Sequence, residues 1–122
     1  MTTTEDDLEN DPTRILTAVV WLLFRAADQE WTQATLDGPT SPRHLLGLQL
    51  HFAASQGLDL LPDYVDLEAA QGESALEFPG TDPAELLRTA ERLTRSVPIE
   101  AFPAGTSMLV VALCDLVRES TP

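Results

Sequence analysis

The chain has 122 residues, 43% of them apolar, with 20 Asp+Glu against 7 Lys+Arg and a formal net charge of −13. That length fits one domain with its own hydrophobic core, and the apolar content excludes a wholly disordered acidic chain. The acid excess argues against a nucleic-acid binder that neutralises phosphates and against docking on an anionic membrane.

Residues 1–10 read as a disordered acidic tail, with Glu5, Asp6, Asp7 and Glu9 around the lone apolar Leu8. Residues 11–122 read as a single all-α domain, a compact bundle or array of about five helices near 12–31, 42–55, 62–71, 83–96 and 106–119. Three starts share one signal, an acceptor side chain before proline: Asp11-Pro12, Ser41-Pro42 and Asp82-Pro83. The acceptor can cap free N–H groups, and proline fits the first helical position because its missing N–H is not needed there.

In the first helix Arg14, Thr17, Trp21, Arg25 and Asp28 recur at spacings of three and four, and the residues between are apolar. One narrow polar stripe predicts a helix covered on most sides. Trp21 interrupts that stripe, so Trp21, Thr17 and Arg25 are the expected interface residues. The loop Leu36-Asp37-Gly38-Pro39-Thr40 ends the segment.

The second helix has Leu45, Leu48 and Phe52 on one side and Leu46, Leu50 and Ala53 on another, with Gly57 as its expected stop. A short third helix is expected from Pro62 to Gln71, ending at Gly72. The fourth is amphipathic through Leu86, Ala90, Leu93 and Val97. Val97 to Pro103 contains two prolines and reads as an extended connector with Ile99 and Phe102 turned inward. The apolar run Met108 to Cys114 fits a buried strand by period alone. Its continuation through Asp115, Leu116, Val117 and Arg118 favours a central helix, capped by Thr106 or Ser107.

The chemistry is mostly one of exclusions. All seven cations are arginine, so Schiff-base lysine chemistry and a P-loop are ruled out. The one cysteine, Cys114, forbids an internal disulfide and reads as a core residue rather than a nucleophile. His44 and His51 stand seven apart, about 10 Å along a helix, too far to share a metal unaided. With Tyr64 they remain weak ligand-pocket candidates. Asp59, Asp63, Asp66 and Glu68 form an acidic patch without the glycine and alternation of a calcium loop. Arg88, Arg92 and Arg95 share a face that Glu85 and Glu91 can neutralise. No catalytic, cofactor or metal site is expected. The first eleven residues lack a secretory signal's cationic and apolar regions, and Ile15 to Ala27 is too short to span a bilayer, so a cytoplasmic setting is expected.

These features point to a non-enzymatic protein–protein interaction module, an adaptor, regulator or accessory subunit, expected to form a homo-oligomer through the first helix. Two alternatives stand beside it. One is an acidic inhibitor of the immunity type, blocking a basic partner such as a nuclease through Asp59, Asp63, Asp66 and Glu68 as phosphate mimics. The other is a helical small-molecule-binding protein, or an enzyme without a motif, built around His44, His51 and Tyr64.

Overall fold

Proline opens the first and third of the observed helices, where its fixed φ costs nothing. The computed structural model describes residues 12–62, 82–95 and 98–120. Among the described residues the fold is an all-α bundle without strands. Its elements are α1 (Pro12–Asp37), α2 (Arg43–Leu60), α3 (Pro83–Thr94), a 3₁₀ turn (Ile99–Ala101) and α4 (Thr106–Ser120). The expected acidic tail and all but the first residue of the expected helix 62–71 lie outside the described residues. Pro62 itself is not helical.

α1 contributes the longest buried run of the bundle. Every residue from Ile15 to Leu23 is buried, two and a half turns without an open side. It packs against both α2 and α3, while α4 closes the bundle against α3 and α2. Leu50 of α2, Leu87 of α3 and Leu109 and Leu113 of α4 are fully enclosed against it. Burial continues along α1 at a four-residue spacing through Ala26, Glu30 and Ala34, so the helix runs one and a half turns beyond the expected end at residue 31. Gly38 stops it. Its φ of +111° is the left-handed value that suits a helix C′ residue, and its N–H reaches the Ala34 carbonyl at 3.0 Å.

α2 differs from expectation at its end. Gly57 does not terminate the helix, which continues to Leu60. A Cβ at Gly57 would meet Val20 Cγ2 at 2.6 Å and Leu109 Cδ2 at 3.3 Å, and one at Gly47 would meet the Trp31 ring at 2.5 Å. Both glycines therefore let α2 approach its neighbours closely. Gly57 against Leu109, with Gly105 against Leu60, also sets α2 and α4 antiparallel.

α4 is a helix but not a central one. It buries Leu109, Leu113 and Leu116, at i, i+4 and i+7, while Met108 and Val111 from the same apolar run face out. The helix without an open side is α1 through Ile15–Leu23, whereas α4 packs on α3 and α2 and keeps one side exposed. The connector before α4 holds Phe102 inside and leaves Ile99 exposed, against the expectation that both turn inward. Thr106 is buried with its hydroxyl donating to the Pro103 carbonyl at 2.7 Å. No helix among the described residues is long and apolar enough to cross a membrane.

Candidate docking surface

The start of α2 is fixed by a polar corner. The Ser41 hydroxyl accepts the Arg43 N–H at 3.3 Å and donates to the Asp37 carboxylate at 3.5 Å. Arg43 places its guanidinium 3.4 Å from Asp37 Oδ2 and 3.7 Å from Glu30 Oε2. That second separation is an ion pair without a hydrogen bond, and the buried Oε2 has no hydrogen-bond partner. Burial pushes the Glu30 carboxyl above its ordinary pKa; Arg43 opposes the shift, and Asp82 and Asp37 add to it.

This corner and the two glycines hold α2 with one apolar side inward and the other outward. Leu50 and Ala53 are buried, whereas Leu45 and Phe52 are each 62% exposed and Leu48 lies beside them. Across from them on α4, Met108 is 72% and Val111 61% exposed. Two open clefts lie along this face. One, of about 290 Å³, has Ala53, Ala112 and Leu116 as its apolar lining and Gln49, Phe52, Gln56, Asp115 and Glu119 around them. The other, of about 380 Å³, lies toward the start of α2, between Pro42, Arg43, Leu45, Leu46, Gln49 and Glu119. Because the helices are antiparallel, Leu45 at the start and Phe52 at the middle of α2 lie toward one end of the face, and Met108 and Val111 on the first half of α4 lie toward the other. The apolar stripe so crosses it obliquely. Asp115 and Glu119 flank one side of the stripe, and the exposed Asp59 lies on the other.

The residues expected to dock elsewhere are placed differently. Trp21 is only 4% exposed and Thr17 is buried, its hydroxyl donating to the Thr13 carbonyl at 2.7 Å. Arg25 is half-buried, its guanidinium 5.3 Å from the Trp21 ring centre. The stripe is thus open only at its ends, at Arg14 and Asp28. A tryptophan on a polar stripe reads as an interface residue when one face of a helix is free, and α1 has no free face here.

His44 is exposed, with Nε2 3.3 Å from the Gly38 carbonyl, while His51 sits between Phe24 and Trp31 with ring centres 5.4 and 5.5 Å away. The two histidines share no site, and neither lines the clefts described above. Tyr64, Asp63, Asp66 and Glu68 lie outside the described residues; Asp59, the remaining member of the acidic set, is exposed on the last turn of α2. Cys114 is half-buried rather than fully enclosed, its thiol 3.9 Å from a Glu91 carboxylate oxygen that also pairs with Arg95. Arg92 donates to the Thr89 hydroxyl at 3.4 Å. Among the described residues no three His, Cys, Asp or Glu side chains are grouped to hold a metal.

Sequence reasoning assigned no role to Leu45, Leu48, Phe52, Met108 or Val111. The signal was present in α2, where both sides are apolar and a helix at the edge of a bundle buries only one. No protein-family model matches the chain, and no curated protein or solved structure matches it.

Proposed function

We propose that the chain is a non-enzymatic protein–protein interaction module whose docking surface is the face shared by α2 and α4, not the stripe of α1. One observation carries this reading. Leu45, Leu48 and Phe52 of α2 and Met108 and Val111 of the adjacent α4 are all exposed while the core beneath them is filled. Exposed apolar side chains scattered singly are ordinary on a soluble domain; several on adjoining helices beside polar-rimmed clefts mark a surface that another molecule covers.

The test is a comparison of the tagged chain with a variant carrying Leu48→Ser, Phe52→Ser and Val111→Ser in extract from the native cell. The reading expects a partner retained by the chain and lost by a variant whose melting temperature is unchanged. The same proteins retained by both forms, or none retained by either, would overturn it.

A further inference from the structure

We propose that the α2/α4 face receives an amphipathic helix that carries lysine or arginine on both flanks of its apolar side. The proposal rests on the reading of this face as a docking surface and names its occupant.

The shape of the face supports a helix. Two antiparallel helices with Ala53 and Ala112 between them leave a shallow trough with small side chains in it. Small residues let a third backbone approach, and the oblique apolar stripe gives anchors at helical spacing something to pack on. An extended strand has no edge to join, since the described residues include no sheet.

The charge selects the kind of helix. Asp115 and Glu119 are exposed, line the trough, and stand four apart on α4, a like-charge pair that disfavours that helix by itself. Facing them on α2 are Gln49 and Gln56, which are neutral. Arg43, at the far end, is engaged with Asp37 and Glu30. Arg118 lines neither cleft. With Asp59 on the opposite flank, the apolar stripe has acid on both sides, and among the described residues the one cation lining its clefts is Arg43, already paired with Asp37 and Glu30. A second copy of this chain, with its net charge of −13, would bring the same acids to the same rim. A basic helix brings the complement, and its association is accelerated by the field of the whole protein.

The experiment measures fluorescence anisotropy of two labelled peptides with the full chain. Both are about 16 residues long with leucine and phenylalanine at i, i+3, i+4 and i+7. One carries lysine on both flanks and the other glutamate. The lysine peptide is expected to bind at least about tenfold tighter than its glutamate sibling, and less tightly as salt rises. Phe52→Ser is expected to weaken it, and Asp115→Lys with Glu119→Lys to invert the preference between the two peptides. Equal binding of both peptides overturns the proposal. So does no saturable binding of the lysine peptide up to about 200 µM, or lysine-peptide binding that Phe52→Ser leaves untouched. A dimer in sedimentation that Phe52→Ser dissolves also overturns it by giving the face to a second copy, while leaving the docking surface itself intact.

Discussion

Glu30 is the residue at which folding and protonation are most tightly coupled. Its carboxylate is buried, one oxygen lacks a hydrogen-bond partner, and the nearest cation, Arg43, stands at 3.7 Å and is shared with Asp37. Burial raises its pKa in the folded chain above the ordinary 4.5, and Asp82 and Asp37 oppose its ionisation further. The sign follows from linkage. A group whose folded pKa lies above its unfolded value favours folding fully below the unfolded value, and that contribution is lost as pH rises through the folded value. Glu30 therefore weighs against the fold at neutral pH. Glu30→Gln keeps the shape and removes the charge, and it should raise stability at neutral pH by about 1 kcal/mol, or a few degrees in Tm. The gain should shrink as pH falls toward 4.5, where Glu30 itself becomes protonated. Thermal melts of both forms across that window test this; a loss at neutral pH would show that the Arg43 pair outweighs burial, and a gain constant with pH would show that the Glu30 charge is not its source.

At the scale of the element, α2 is positioned by absence of side chains. Alanine is favoured over glycine inside a helix by about 1 kcal/mol, so Gly57→Ala and Gly47→Ala should stabilise α2 in isolation. In the fold they meet neighbours. A Cβ added at Gly57 would lie 2.6 Å from a methyl of Val20, which is fully buried and branched at Cβ, so neither side can give. Gly57→Ala should cost about 2 kcal/mol net, in the range of overpacked cores. Gly47→Ala should cost less, because Trp31 is half-buried and its ring has room to turn. Gly38→Ala is the control: nothing lies within 4 Å of its Cβ, so its cost comes from the positive φ alone, about 1 kcal/mol. Denaturant unfolding of the three variants should rank Gly57 above Gly47 and Gly38, and an increase in stability at Gly57 would show that α2 and α1 are farther apart than described. Elements of this kind were only half legible in the sequence. Asp82-Pro83 marked the start of α3, because that signal acts through a few adjacent backbone groups, whereas the first helix was expected to end at residue 31 and runs on to Asp37. Even there the chemistry was partial: Asp82 makes no side-chain cap, whereas Ser41 does bond the Arg43 N–H. Gly57 was misread as a stop because a glycine at a helix end and a glycine at a close crossing look alike in one dimension.

The whole molecule decides what the sequence left open, which is which apolar residues are core. Trp21 looked exposed from its neighbours on α1, and Met108 and Val111 looked buried from theirs on α4. Both readings fail because burial depends on how each helix is turned and covered in the bundle. α1 is buried all round through Ile15–Leu23, and α2 and α4 each bury one side and keep apolar side chains exposed on the other. Leu50 and Phe52 state the consequence two residues apart on one helix. Leu50 is fully buried beneath α2 and Phe52 stands out from its other side. Leu50→Ala removes packed methyl groups and leaves a cavity, so it should cost about 2–5 kcal/mol. Phe52→Ala removes the larger side chain but opens no cavity, and it should change stability by less than about 0.5 kcal/mol. Hydrophobicity alone ranks the two the other way, since phenylalanine buries more area than leucine. Urea titrations of the two variants at equal slope give the comparison directly. Equal losses would mean that α2 is rotated about its axis from the orientation described, with Phe52 inside and no apolar face left for a partner. A large loss at Leu50 with none at Phe52 fixes the rotation of α2, and with it the exposure of the stripe on which the docking surface depends.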